Sequence, residues 1–220
     1  RYHDWFEERM RTRLDEVRKD FSIKNQVEIS KIPLYKVKTP LQRAIQLLKR
    51  HRDIMYDALP EARKDNAPIS IIITTLAAHA YNNESSVYEA LSNIVENMTK
   101  YIDKVGDSFV IKNPVMPEEN FADKWNETPE KAQEFYKWLQ SARTDILVSP
   151  IKAQGLHNVS ESLECCFGRN IVKRSFVDDG NATKIARDNK SLYADGLTGG
   201  LKTTSSQTSK KVGGHTFFGN

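Results

Sequence analysis

A chain of 220 residues, 39% hydrophobic and 28% charged, is long enough to bury most of its apolar surface in one domain or one and a half. No run of eighteen apolar residues occurs, which excludes a transmembrane helix. Lys and Arg number 33 against 29 Asp and Glu, but Lys202, Lys210 and Lys211 lie in the acid-free stretch 196–220. The remainder is therefore near neutral and lacks the clustered basic excess of a duplex-coating surface.

The opening, RYHDWFEERM, has neither a starting Met nor the apolar core of a signal peptide, and reads as an N-terminus preceded by further sequence. Residues 4–21 place Phe6, Met10, Leu14, Val17 and Phe21 on one stripe among charges, the pattern of an amphipathic helix. Residues 22–38 alternate briefly, contain Pro33, and form an irregular connector with room for one strand. Thr39, Pro40 and Gln42 then supply a cap, a first-position proline and a capping box. The helix they open runs to about Asp57, with Leu41, Ala44, Ile45 and Leu48 inward and Leu47 and Ile54 on a second flank.

Pro68 opens the next element, Ile69 to Tyr81. Ile71, Ile72 and Ile73 fit a buried strand as well as a helix, but the length and the Leu-Ala-Ala-His-Ala continuation favour a buried helix. Ser86 and Glu89 form a second capping box before Val87, Leu91, Ile94, Val95, Met98, Ile102 and Val105, with Gly106 as the stop. A further helix begins at Thr128-Pro129, buries Ala132, Phe135, Leu139, Ala142 and Ile146, and ends at Pro150. A shorter one, about Asn158 to Phe167, stops at Gly168. Beyond Tyr193, six of the ten glycines fall between Gly196 and Gly219, a composition too poor in apolar surface to offset its ordering entropy. The expected fold is mainly α: a linking helix and connector over 1–38, a helical lobe over 39–193, and a flexible Gly/Ser/Thr-rich tail over 194–220.

No HExxH, GxSxG, P-loop, GxGxxG or CxxC motif occurs. Two adjacent cysteines, Cys165 and Cys166, neither bridge each other nor staple a domain, so a reducing cytoplasm is the default. With His157 they offer at most three ligands in one region, and read as half-buried thiols rather than a metal site. The acid pairs Glu118-Glu119 and Asp178-Asp179 read as solvated surface. More informative is LLKRHRD, Leu47 to Asp53. On a helix Lys49 and Arg52 share a face, and charge on a packed helix is costly unless it is paired or faces a ligand. The run is either an anion site or a surface flank neutralised by Asp53 and Asp57. Ser70 stands in the first turn of the following helix, where free backbone N–H groups and the positive dipole end favour phosphate oxygens. It is either a phosphate ligand, clamping with Lys49, or only a cap.

Three runs in this order, KTPLQRAIQLLKRHRD (Lys38 to Asp53), APISIIITTLAAHAY (Ala67 to Tyr81) and NPVMPEENFADKW (Asn113 to Trp125), resemble the helical C-terminal half of bacterial cGAS/DncV-like nucleotidyltransferases. The resemblance implies a parent enzyme making cyclic di- or trinucleotide messengers from ATP or GTP in anti-phage defence. It further implies that Lys49 holds the donor triphosphate and that Ser70 contacts the same phosphates. Asn120 would lie near the base or, alternatively, cap the turn before Trp125; Arg52 joins the site by sharing the Lys49 face. Phe121 and Trp125 read as core anchors. The family's Gly-Ser motif and paired aspartates, which bind two Mg2+ ions, have no counterpart here. The implied α/β catalytic core thus lies outside this chain, and no catalytic residue and no metal ligand is expected within it. The end of the chain, His215 to Gly219, resembles termini joined to other proteins by an E1/E2-like ligase, with Phe217, Phe218 and Gly219 as the grip, although Asn220 follows the glycine. Expected partners are nucleoside triphosphates, the enzyme's own catalytic core and such a ligase. A helical protein-interaction module without a nucleotide site is the competing class.

Overall fold

The computed structural model describes residues 1–33, 36–195, 201–203, 205 and 209–213. The chain separates into two compact units, Arg1–Phe167 and Gly168–Asn220. In the first, helix α1 (Tyr2–Asn25) buries Met10 and Leu14. Val17 and Phe21 pack on a small core of Leu14, Ile32 and Val37, so the connector folds back on the helix that precedes it. The stripe expected over 4–21 extends to Asn25, where Gln26 adopts a left-handed cap with φ 51°.

Helix α2 (Pro40–Asp57) starts as its residues dictate. The Thr39 hydroxyl accepts from Gln42 N–H while the Gln42 side chain accepts from Thr39 N–H at 3.0 Å. These two bonds satisfy donors that a helix start otherwise leaves orphaned. Helix α3 (Glu61–Lys64) is one turn, and α4 (Ser70–Ala80) is the triple-isoleucine element. It is helical because Ile72, Ile73, Leu76, Ala77 and Ala78 are all fully enclosed, so the element is apolar nearly all round. Its C-terminal carbonyls are not left to water: Arg9 of α1 donates to the carbonyls of Ala78, His79 and Tyr81, placing a cation at the negative end of the dipole.

Helix α5 (Val87–Asn97) carries the Ser86/Glu89 box, but it ends earlier than its apolar spacing suggests. A single 3-10 turn, 98–101, leads into strand β1 (Asp103–Val105), which pairs antiparallel with β2 (Ser108–Val110). Gly106, expected as a helix stop, instead forms the hairpin turn with φ +59°, a conformation glycine reaches without a Cβ penalty. Val105 stays 70% exposed because it belongs to a strand edge. A second hairpin joins β3 (Lys112–Asn113) and β4 (Met116–Asn120), placing Glu118 and Glu119 in solvent on a strand, not on a helix. Helix α6 (Asp123–Glu127) then buries Trp125, as expected of a core anchor.

Helix α7 (Pro129–Arg143) inserts Phe135, Trp138, Leu139 and Ala142 between α2 and α5. Pro150 does not end this run. The chain widens into a π-helical turn, Thr144–Val148, and continues as α8 (Ser149–Lys152) with Pro150 inside its first turn. The wider turn accommodates a ring that would collide with a regular helical carbonyl. Helix α9 (Leu156–Phe167) closes the unit. Leu41, Leu48, Ile72, Leu76, Ile94, Met98, Phe135 and Trp138 form its fully buried centre, each side chain contributing about 1.5–3 kcal/mol of transfer free energy.

In the second unit, α10 (Arg169–Asp188) follows Gly168 at φ 88° and buries Val172 and Ala186; it falls within the helical lobe expected over 39–193, where no individual helix was named. Asp178 and Asp179 are exposed. Among the described residues near and beyond 194, β5 (Tyr193–Asp195) pairs antiparallel with β6 (Leu201–Lys202) on one edge and β7 (Ser209–Lys211) on the other. Phe217, Phe218 and Gly219 lie outside the described residues.

Candidate functional site

The two helices that carry the expected triphosphate ligands lie side by side. Arg52 of α2 donates from Nη1 to the Pro68 carbonyl at 2.9 Å and to Ser70 Oγ at 3.1 Å. Its Nε and Nη2 both donate to Asp53 Oδ1, at 2.9 and 2.7 Å. The guanidinium is therefore a brace that fixes the start of α4 against α2, and most of its donors are already occupied. Ser70 Oγ accepts from this cation, which leaves its own proton to donate outward; an accepted charge-assisted bond polarises that hydroxyl toward donation.

Lys49 lies one turn before Arg52, half-buried. Burial, more than the repulsion of Arg52, moves its pKa down, and Asp53 opposes the shift. No hydrogen bond or ion pair holds its ammonium among the described residues. The first turn of α4 adds to this electropositive corner. Ile69 occupies the cap position and offers no side-chain acceptor, so the leading amides of the helix stay unmet by a cap. Two cations, one polarised hydroxyl and a bare helix start converge here. That set can hold the oxygens of a polyphosphate.

Asn120 does something else. Its Oδ1 accepts from Ile111 N–H at 2.8 Å and Ala122 N–H at 2.9 Å, and its Nδ2 donates to the Phe109 carbonyl at 3.0 Å. Both ends of the amide are committed to the backbone of the β2–α6 region, the turn-capping alternative raised by the sequence. Neighbouring Phe121 meets the Tyr2 ring edge-on at 6.4 Å, and the Tyr2 hydroxyl shares a 2.9 Å hydrogen bond with Thr75.

Residue spacing gave no sign of a second polar cluster in the same unit. His51, 2% exposed, pairs through Nε2 with Asp145 Oδ2 at 3.0 Å, and the two lie 94 residues apart in sequence. Ser141 also donates to Asp145 Oδ2 at 3.0 Å. The Cys166 thiol sits beside them, donating to the Ser162 carbonyl, and burial pushes it up to about 12. His157, by contrast, is exposed and paired with Glu161 near the other end of α9. It is roughly a dozen ångströms of helix away from the cysteines.

No family model matches the sequence. A c-di-GMP synthase from Roseivirga ehrenbergii is 36% identical over 138 residues, 62% of this chain and 35% of that protein. The cyclic dinucleotide synthase CdnG of Bradyrhizobium diazoefficiens is 28% identical over 142 residues, 63% of this chain and 33% of the relative. The solved structure of the Bradyrhizobium diazoefficiens CD-NTase CdnG in complex with GTP shares the fold, with a TM-score of 0.56 and 22% identity over 80% of this chain and 53% of that one. The chain thus spans about a third of the length of the curated relatives it matches.

Proposed function

We propose that this chain, which is similar to a c-di-GMP synthase and to a cyclic dinucleotide synthase, forms the part of a bacterial cGAS/DncV-like nucleotidyltransferase that holds the donor nucleoside triphosphate. Lys49 supplies a point charge to the phosphates, Ser70 donates its hydroxyl to the same oxygens, and Arg52 positions Ser70 by fixing the start of α4. Asn120 contributes through the loop it holds together rather than through its own amide. The observation that carries this reading is the Arg52–Ser70 bond at 3.1 Å, which joins the Lys49 face of α2 to the uncapped start of α4. Catalysis by positioning is what phosphoryl-type transfer requires, since the chemistry itself needs little covalent help from the protein.

The metal-binding carboxylates, and the Mg2+ they bind, belong to sequence outside this chain. Purified alone and supplied with labelled ATP or GTP, it is expected to release no cyclic product, and clear turnover would refute the division of labour. The HTFFG resemblance of His215 to Gly219 supports conjugation at this end by an E1/E2-like ligase. Anti-phage defence is likewise inferred from the family.

The clamp is tested by Ser70→Ala in the enzyme that carries this chain. Losing one hydroxyl donor costs about 1 kcal/mol, so GTP affinity by calorimetry is expected to fall roughly fivefold while guanosine binding is unchanged. An equal loss for both ligands would place Ser70 away from the phosphates.

A further inference from the structure

The His51–Asp145–Cys166 cluster is not used by the phosphate clamp, and its donor set is unusual. One imidazole, one carboxylate and one thiol, from α2, the π-helical turn and α9, bring their ligand atoms within 4.8 Å of one another. We propose that these three side chains bind a divalent transition metal of the zinc class, with the fourth position open to water.

The chemistry of the donors selects the ion. Mg2+ and Ca2+ take oxygen ligands, whereas a mixed sulfur, nitrogen and oxygen set suits Zn2+ and its tetrahedral analogues. Metal–ligand distances of about 2.0–2.3 Å put tetrahedral ligand atoms some 3.3–3.8 Å apart. The His51–Asp145 pair, at 3.0 Å, is already that close, and Cys166 closes the remainder by a rotation at the last turn of α9. A cavity of about 340 Å3 adjoins the three, lined also by Ser141, Ser162 and Cys165, and gives water and ion a way in.

Hydrogen bonds within the cluster do not use all its capacity. Nε2 is the His51 nitrogen that faces Asp145, and Nδ1 is buried with no partner among the described residues, so no acceptor fixes which nitrogen carries the proton. One outer contact of a metal site is present: Ser141 donates to Asp145, orienting the carboxylate. The π-helical turn is the local departure that carries Asp145 to His51, and such widened turns recur where a helix serves a site. On binding, the ion would displace the thiol proton to solvent and form a metal–thiolate bond. It would staple α9 and the π turn to α2, two residues from Lys49, without relying on the triphosphate reading.

Cobalt reports such a site directly. Titrating the purified protein with Co2+ under reducing conditions is expected to give a thiolate-to-metal absorption in the near ultraviolet that saturates at one equivalent and is displaced by Zn2+. Cys166→Ser is expected to abolish the band, Cys165→Ser to keep it, and Asp145→Asn to weaken Co2+ binding at least about tenfold. Absence of the band in the unaltered protein, or its survival in Cys166→Ser, overturns the site. Should Cys166→Ser fail to fold by circular dichroism, the unaltered and Cys165→Ser titrations decide alone: a band lost with Cys165 also overturns it.

Discussion

Replacing Lys49 by alanine in the proposed synthase is expected to reduce triphosphate affinity and product formation by about 10- to 100-fold. Charge-assisted bonds contribute roughly 1.5–3 kcal/mol each, and each 1.4 kcal/mol is a factor of ten. Lys49 falls within that range because its ammonium is half-buried, pushed toward neutrality by burial and by Arg52 against the opposing charge of Asp53, and engaged in no ion pair among the described residues. A polyphosphate would relieve all three conditions at once. The same argument separates loss of function from loss of fold. Removing a half-buried cation that faces Arg52 relieves repulsion, so the melting temperature of Lys49→Ala is expected to stay level or rise slightly, within about 0.5 kcal/mol of stability. Lys49→Arg keeps the charge and should recover part of the activity. If affinity and product formation are unchanged in Lys49→Ala, the basic run is only solvated surface, and the interaction-module class takes its place.

The second large effect concerns stability. Glu134 of α7 is 5% exposed yet ionised, and three elements converge on its carboxylate. Arg63 of α3 donates from Nη2 at 2.6 Å and Nε at 3.2 Å, the Tyr56 hydroxyl donates at 3.0 Å, and Lys137 lies at 3.1 Å. The Arg63 bonds are the main reason its pKa falls from 4.5 to about 2, while burial, and after it the same carboxylate, hold the Tyr56 hydroxyl high. Glu134→Ala leaves the guanidinium without its acceptor and the buried phenol with only the Glu134 backbone carbonyl at 3.2 Å, and it opens a gap beside Tyr56. Breaking a buried pair from one side costs about 3–5 kcal/mol, discounted to roughly 2–4 because Arg63 is 41% exposed.

Urea denaturation at pH 7 measures that loss directly. A carboxyl held lower in the folded chain than in the unfolded one stabilises the fold above pH 4.5, and the contribution is lost as pH falls from there through about 2. The unaltered protein is therefore expected to weaken over that window, and Glu134→Ala to show a flatter dependence across it. Equal slopes for the two proteins would mean the carboxylate contributes no folded-state ion pairing.

Local chemistry was legible wherever the signal and the structure occupied the same few residues. Thr39-Pro40 with Gln42 and Ser86 with Glu89 were readable as helix starts because a capping box closes within four residues. The triple isoleucine of α4 was ambiguous by period and was resolved by length. The same spacing argument misled at Ile102 and Val105, where apolar residues at helical intervals belong to the extended residue after a 3-10 turn and to a hairpin: Gly106 and Asp107 turn the chain back before another helical turn can form. Pro150 misled in the opposite direction, since a π-helical turn lets a helix pass a proline that usually ends one.

The site divides in the same way. Lys49, Arg52 and Ser70 could be named from one helix face, one first turn and a family resemblance, because each signal lies within a single element. That Arg52 braces Ser70 required the packing of α2 on α4. The use of Asn120 on three backbone groups required the fold of the two hairpins. His51, Asp145 and Cys166 could not be grouped from spacing at all; spacing set only His157 near the cysteines, a group read as half-buried thiols and not a metal site, and His157 stands at the far end of α9.

For this protein, the order of amino acids alone determined where most helices begin, which faces are apolar, and which cations sit on a packed helix. Those properties depend on neighbours within a turn or two of backbone. Tertiary structure decided which distant groups meet: Arg52 with Ser70, Glu134 with Tyr56 and Arg63, and His51 with Asp145. Such meetings depend on how helices pack, and packing is governed by the summed burial of the whole core, which no short window of residues contains.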